Sequence, residues 1–385
     1  MLNRRNFVYA ATAGALSLGF APRLAFAQAA TERRFVFIIQ RGAADGLGTV
    51  APVGDPAFAA QRGVLAEDFA AGAPKLDAMF ALHPRLTDIG KLYAAKQALF
   101  VHAVASPYRD RSHFDAQNVL ETGGSDAYRL KDGWLNRLLG VLPDDARRGI
   151  AVAATIPMAM RGRVKVASYA PSALPDASDD LLGRVATLYA EDPQLHAIWQ
   201  QATATRNLTS DLAADNGRNA AATGALAARL LAAKDGARVA MIETGGWDTH
   251  AGQRGRLGAQ LNGLDRMVAA LREGLGPVWN DTLVLVATEF GRTVKVNGTG
   301  GTDHGTGSAA MLLGGTVQGG RVLADWPGLS DAALYEGRDL KPTAGLDSVI
   351  AGATAAHFGI DPARMAAALF PDARGLRAME GMMRA

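Results

Sequence analysis

The stretch "ARVAMIETGGWDTHAGQ", residues 237–253, joins a continuous apolar run to a glycine-rich segment that carries Asp248 and His250. A run without polar alternation is typical of a strand that is covered on both faces of a sheet. Further runs of this kind are RFVFIIQ (34–40), QALFVHAVA (97–105), GIAVAAT (149–155), TLVLVATEF (282–290) and SAAMLLGG (308–315). Asp248 and His250 are therefore expected just beyond the carboxyl end of a buried strand.

Amphipathic stretches separate these predicted strands, as in LTDIGKLYAAK (86–96) and LGAQLNGLDRMVAALREGL (257–275). Strands that alternate with helices of this length indicate βαβ units and a parallel sheet. The sequence therefore predicts an α/β fold, a doubly wound and mostly parallel sheet with helices on both faces. No internal repeat or long linker interrupts the pattern, so we expect residues 28–385 to form a single α/β domain.

The N-terminal segment has the features of an export signal. It carries Arg4-Arg5, a modest apolar run over 8–21, and the small-x-small site Ala25-Phe26-Ala27. This pattern predicts a twin-arginine signal peptide over residues 1–27, cleaved after passage through the twin-arginine translocase. The apolar run is shorter than the roughly 20 residues that span a bilayer, so we expect no stable membrane anchor. The mature protein is predicted to be periplasmic or secreted.

Composition excludes several classes of protein. With 49% hydrophobic and 20% charged residues, the chain has the composition of a globular protein. Residues 1–27 hold three Arg and no acid, so the mature chain has 40 − 3 = 37 basic and 37 acidic groups. A formal charge of zero gives no reason to expect a nucleic-acid partner. The absence of cysteine excludes disulfides and thiolate chemistry.

Polar side chains also flank the other predicted strands. Asp45 follows the run 34–40, and Arg111, Ser112 and His113 follow the run 97–105. Glu289 and Arg292 lie near the end of 282–290, and Asp303 and His304 precede 308–315. Sites in open α/β sheets form outside the carboxyl ends of the strands. Three carboxylates and two histidines, offered there from separate strands, suit a divalent metal ion, with zinc the natural candidate for a mixed N/O ligand set.

Each of these residues also has a simpler explanation. Asp45-Gly46 is a common turn pair, and Asp303-His304 fits a turn in a glycine-rich loop. Ser112 with Asp115 fits a capping box at the start of a helix, and His113 fits an ordinary hydrogen-bonded polar group. Asp248 and His250 are harder to explain in this way, because polar groups beside Trp247 at a strand end have no evident packing purpose.

Taken together, several motifs resemble a known family. RGAADGL, LHPRL, RSHFDAQNVLETG, GGWDTHAGQ, TEFGRT and GGTDHGTGSAAMLLGG are similar to motifs of the exported bacterial proteins grouped as domain of unknown function 1501. Members of that group look like relatives of the alkaline phosphatase and sulfatase superfamily. The resemblance covers nearly the whole mature chain.

The resemblance implies roles for particular residues. Ser112 matches the nucleophile at a helix N-terminus, and Asp45, Asp248, His250, Glu289 and His304 match metal-binding positions. Glu289-Phe290-Gly291 stands where the superfamily commonly has Asp-His-Gly, so one imidazole ligand is missing. The number of bound ions is left open: the site holds either one ion or a second ion as well, completed by Asp303. Arg111 and Arg292 are candidate clamps for an oxyanion.

The sequence therefore predicts an exported, metal-dependent hydrolase of phosphate or sulfate esters, acting on a small-molecule or saccharide ester. Two alternatives stay open. One is a metal-free serine esterase built on Ser112, although the G-x-S-x-G turn of such enzymes is absent around that residue. The other is a non-catalytic periplasmic binding or assembly protein that retains the fold.

Overall fold

Strand β1, Arg34–Gln40, lies inside the main sheet, and all of its residues are buried. The computed structural model describes residues 32–70, 72–170, 179–197, 199–200 and 219–384, so the predicted signal peptide lies outside the described residues. The other strands are β2 Val50–Ala51, β3 Ala81–Leu82, β4 Ala98–Ala105, β5 Gly149–Val152, β6 Val166–Ser168, β7 Val239–Thr244, β8 Thr282–Thr288, β9 Ser308–Leu313, β10 Arg321–Leu323 and β11 Ala344–Gly345.

The main sheet has the strand order β10-β4-β9-β8-β1-β7-β5-β6, and β11 pairs with β4. Strand β9 pairs antiparallel with β4 and β8, whereas the remaining pairs in this sheet are parallel. The short strands β2 and β3 form a separate antiparallel pair. The fold class predicted from the sequence, a mostly parallel α/β sheet, is confirmed.

Helices cover both faces of the main sheet. The α-helices among the described residues are α1 Gly46–Thr49, α2 Phe58–Arg62, α3 Thr87–Ala94, α4 His113–Thr122, α5 Trp134–Val141, α6 Asp179–Tyr189, α7 Ala220–Ala232, α8 Gln253–Leu275, α9 Leu346–Phe358 and α10 Pro362–Leu369. Successive side chains of a strand point to opposite faces. Accordingly Phe35 and Phe37 pack with α5, α9 and α10, while Val36 and Ile38 pack with α3, α7 and α8. The sheet is therefore doubly wound, as predicted.

The direction of β9 decides where the loop ahead of it lies. Met311 pairs with Val286 and Leu313 with Val284, so β9 begins at the end of the sheet where β8 finishes. The glycine-rich loop 297–307 therefore lies at the same edge as the segments that follow β1, β4, β7 and β8. Across the described residues, no helix combines the length and the apolar character that crossing a bilayer requires.

Candidate metal centre

Three imidazoles and one carboxylate meet at the carboxyl edge of the sheet. His113 is the first residue of α4, Asp248 and His250 follow β7, and His304 precedes β9. His304 Nε2 lies 2.9 Å from His113 Nε2 and 3.0 Å from His250 Nε2. Among the described residues, His113, Asp248 and His304 form the group whose ligand atoms all lie within 4.8 Å of one another. His250 lies beside this group.

The Asp248 carboxylate contacts all three rings. Its Oδ1 lies 2.9 Å from His250 Nε2 and 3.3 Å from His304 Nε2, and its Oδ2 lies 3.4 Å from His113 Nε2. The end of β1 approaches Asp248 closely at Gly42, which has a φ of +116°. A Cβ atom at Gly42 would lie 2.7 Å from the Asp248 backbone nitrogen. Glycine is therefore needed there for both conformation and space.

The second nitrogen of each ring faces an acceptor. His113 Nδ1 donates to Glu289 Oε1 at 2.8 Å, and His250 Nδ1 donates to Asp303 Oδ1 at 3.1 Å. His304 Nδ1 donates to the backbone carbonyl oxygen of Arg111 at 3.1 Å. Each Nδ1 therefore has an oxygen that can accept its proton, which leaves each Nε2 able to present a lone pair to a cation. Metal-ligating histidines are commonly held in this way.

This donor set fits a divalent ion. Facing lone pairs on His113, His250 and His304 cannot hydrogen-bond one another, so a positive charge between them stabilises the arrangement. Zinc bonds of about 2.0–2.1 Å in a tetrahedron place neighbouring ligand atoms about 3.3 Å apart. The five separations given above run from 2.9 to 3.4 Å. Nitrogen with carboxylate oxygen is also the ligand combination that zinc accepts.

The electrostatic surroundings favour the metal-binding forms of Asp248 and His304. Burial acts to raise the pKa of Asp248, but the hydrogen bond and charge of Arg292 lower it below its ordinary value. Burial, together with the charge of His113, lowers the pKa of His304. The hydrogen bond to Glu289 raises the pKa of His113, although burial opposes it. Asp248 is therefore anionic and His304 neutral near pH 7, as ligation requires.

Glu289 and Asp303, which the sequence predicts as metal ligands, accept hydrogen bonds from imidazoles of the centre. Glu289 is fully buried, and its Oε1 also accepts from the Gly42 backbone N–H at 2.8 Å and from Gln117 Nε2 at 3.1 Å. Burial raises the pKa of Glu289, but these hydrogen bonds and that of His113 lower it overall. Asp303 accepts from His250 and from Asn297 Nδ2 at 3.2 Å. Both carboxylates thus lie behind imidazoles.

Asp45 is held apart from the imidazoles. Its carboxylate is buried, and Oδ2 accepts hydrogen bonds from the guanidinium of Arg62 and from Gln253 Nε2. Arg62, itself buried, also donates to the carbonyl oxygens of Thr293 and Val294 at 3.2 and 3.1 Å. The negative charge of Asp45 is therefore balanced by a fixed cation of the chain. The group of ligand atoms identified above does not include Asp45.

The two predicted oxyanion clamps are both engaged with carboxylates. Arg292 is buried and donates to Asp248 Oδ1 through Nη1 and to Thr302 Oγ1 through Nε at 3.1 Å. Arg111 donates through Nε to Asp339 Oδ2 at 2.9 Å and through Nη2 to Glu336. The backbone of Arg111 has a φ of +60°, and its carbonyl oxygen is the group that contacts His304. Arg292 thus orients Asp248, and Arg111 orients His304.

The start of α4 differs from the sequence-based expectation. Ser112 is the N-cap residue, but its side chain makes no capping hydrogen bond, so the capping box with Asp115 does not form. The side chain that reaches the centre is that of the next residue, His113. The sequence signal for His113 was the same as for the other ligands, namely an imidazole shortly after a buried strand. The resemblance assigns the nucleophile role to Ser112 and gives no role to His113.

Fold and site define a doubly wound α/β protein with a histidine-carboxylate centre of the kind that binds a divalent ion. Residues 32–369 match the family model described as "Protein of unknown function (DUF1501)". The chain belongs to this family, which confirms the resemblance found in the sequence. A comparison with curated proteins finds no match.

Solved structures similar to this chain include members of phosphatase-like and sulfatase-like groups. The C-terminal periplasmic domain of EcEptC from Escherichia coli, solved in complex with Zn, has 9% identity and a TM-score of 0.37, with coverage of 73% of this chain and 72% of that one. Alkaline phosphatase from the Antarctic bacterium TAB5 has 12% identity and a TM-score of 0.33, and the match covers 73% of this chain and 91% of that one. A Bacteroides thetaiotaomicron protein denoted 4S-sulf has 10% identity and a TM-score of 0.34, and the match covers 76% of this chain and 69% of that one. These likenesses assign no residue role in this chain.

Proposed function

We propose that the mature protein is an exported, metal-dependent hydrolase of phosphate or sulfate esters. The observation that carries the proposal is the convergence of the Nε2 atoms of His113, His250 and His304 on the Asp248 carboxylate, with every Nδ1 held by an acceptor. Such an arrangement has no packing purpose, because it sets lone pairs against one another. It is explained by a bound cation.

His113, Asp248 and His304 would hold one ion, with His250 beside it, and zinc suits these ligands best. A second ion at Asp45 would have to compete with Arg62, which already neutralises that carboxylate. When bound, the ion would withdraw electron density from an ester oxygen and stabilise the charge that develops there. The chain's own part is to present anionic Asp248 and neutral imidazoles in fixed orientations, through Arg292, Glu289 and the Arg111 carbonyl.

Ser112 is our candidate nucleophile. It directly precedes His113, and it lies at the start of α4, where unpaired backbone N–H groups favour an anion. None of the hydrogen bonds of the described residues joins the Ser112 hydroxyl to an imidazole, which favours a metal-dependent reaction over a metal-free serine esterase.

The ester class and the cellular location rest on the sequence. The motif resemblance to the phosphatase and sulfatase superfamily favours phosphate or sulfate esters as substrates. The paired arginines and the small-x-small site favour export by the twin-arginine translocase, with a periplasmic or secreted product. The proposed partners are accordingly that translocase during export and an ester substrate afterwards.

The test is hydrolysis of a panel of aryl phosphates and aryl sulfates by the zinc-loaded mature protein. Asp248→Asn should abolish turnover and bound zinc together, because it removes the one anionic ligand. Asp325→Asn, which changes a carboxylate outside the centre, is the matched control and should alter neither. Turnover that survives zinc removal would favour the metal-free esterase. Stoichiometric zinc without turnover of any ester would favour the non-catalytic binding protein.

A further inference from the structure

Two large aromatic side chains are exposed next to the centre. Phe114 is 82% exposed and Tyr128 is 53% exposed, in contrast to the other aromatic rings of the α4 neighbourhood. Exposed apolar rings forgo the free energy of burial, about 25 cal/mol per Å². Tyr128 is also held at a φ of +63°, a conformation that non-glycine residues rarely adopt. Both features favour a surface that a bound ligand covers.

These rings belong to one continuous surface. Phe114 and Asn118 are four residues apart and lie on the same face of α4. Asn118 Oδ1 accepts from the Tyr128 backbone N–H at 2.6 Å, which ties Tyr128 to that face. Asp115 accepts a hydrogen bond from the Tyr108 hydroxyl at 3.3 Å, and its carboxylate raises the pKa of the nearby Tyr128 phenol. Tyr108 and Tyr128 therefore lie beside Asp115, with Phe114 next to it on α4, and we call these three aromatic residues the aromatic rim.

The aromatic rim is continuous with the centre. Phe114 follows His113, whose ring stacks on Phe290 with centroids 5.0 Å apart and planes 27° apart. Tyr108 packs against the cluster that contains Phe290. A substrate whose charged ester lies at His113 would therefore have the aromatic rim beside its organic part.

We propose that the aromatic rim binds the sugar ring of the substrate, so that the substrates are phosphate or sulfate esters of saccharides. This proposal rests on the proposed function. A sugar ring has an apolar C–H face, which packs on an aromatic ring, and hydroxyl groups around its edge. Phe114 supplies the apolar surface, while Asp115 and the phenol groups supply hydrogen-bonding partners for the hydroxyls. An alkyl ester would leave those polar partners unused.

The test measures binding separately from turnover. Isothermal titration of the zinc-loaded mature protein with glucose 6-sulfate and glucose 6-phosphate, beside butyl sulfate and butyl phosphate, should show tighter binding of at least one sugar ester. Phe114→Ala should weaken that binding about tenfold and leave the butyl esters within twofold, because it removes one aromatic contact. Phe114→Trp should restore binding. Leu188→Ala, which removes a side chain that is 78% exposed on α6, is the matched control and should have no effect.

The proposal is overturned if the wild type does not prefer sugar esters, or if Phe114→Ala binds them as tightly as the wild type. It is also overturned if Phe114→Ala changes the oligomeric state, since a second copy of the chain would then be the occupant. Failure of the proposed function gives a different result. If the wild type hydrolyses no ester but binds the sugar esters, and Phe114→Ala loses that binding, the aromatic rim is supported and the proposed hydrolase function is excluded.

Discussion

Glu289→Gln tests whether a buried carboxylate behind His113 strengthens metal binding. The substitution keeps the size of the side chain and removes its charge. Glu289 Oε1 accepts from His113, Gly42 and Gln117 at 2.8, 2.8 and 3.1 Å, and a glutamine oxygen at the same place stays within reach of the same donors. The new amide N–H₂ would face Thr288 Oγ1, now 3.0 Å from Oε2, which can accept a hydrogen bond.

Because the hydrogen bonds are preserved, we expect the fold to lose only about 1 kcal/mol. Zinc affinity should fall 10- to 100-fold, about 1.4–2.7 kcal/mol, because a neutral amide polarises the His113 ring less than a carboxylate does. The assay is competition for zinc with a chelator at pH 7.5, with thermal unfolding of the metal-free protein measured in parallel. Glu243→Gln, which neutralises a carboxylate that pairs with Arg41, is the matched control and should keep wild-type affinity. A folded Glu289→Gln protein with zinc affinity within twofold of the wild type would refute the reasoning.

Three further predictions concern Ser112, the Asp45 ion pair and a buried histidine. Ser112→Ala should abolish ester turnover with zinc retained, and should change the free energy of unfolding by less than about 0.5 kcal/mol, because no capping bond is lost; an active variant would exclude Ser112 as the nucleophile. Arg62→Met should lower the free energy of unfolding by about 3–5 kcal/mol in urea titrations, because it leaves the buried Asp45 carboxylate unpaired; a loss below about 1 kcal/mol would contradict this ion pair. Burial lowers the pKa of His357 to about 3, below the value of about 6.5 in the unfolded chain, so the unfolded state binds the extra proton and stability falls as the pH drops below 6.5. The wild type should lose about 2 kcal/mol more than His357→Asn between pH 8 and pH 5, and equal losses would mean that His357 is not buried in its neutral form.

The core strands could be predicted because burial on both faces leaves a strong signal. Each apolar run, from RFVFIIQ to SAAMLLGG, contains a strand of the main sheet. The strands that were not predicted, such as β6 and β10, have three residues each and are only partly buried, so they have no apolar run. The reversed direction of β9 left no trace in its composition, because antiparallel and parallel strands in a buried sheet have the same apolar character.

The centre was predicted in part for similar reasons. Asp248, His250 and His304 lie at strand ends, where the sheet topology alone brings polar groups together. Sequence could not separate a metal ligand from a carboxylate that holds a ligand, since Glu289 and Asp303 have the same chemistry in either place. Nor could it foresee that Arg62 neutralises Asp45, because that pairing depends on how α2 packs against the segment after β8. His113 was missed because a shift of one residue at the start of α4 decides which side chain faces the centre.

The most direct test of the metal centre is the zinc content of the purified mature protein, measured by elemental analysis after exposure to zinc and removal of the excess. We predict one tightly bound zinc ion per wild-type chain. His113→Ala should lose it while remaining folded. His196→Ala, which removes an imidazole outside the centre, should retain it. A wild-type protein that binds no metal, or a His113→Ala protein that keeps its zinc, would contradict the centre described here.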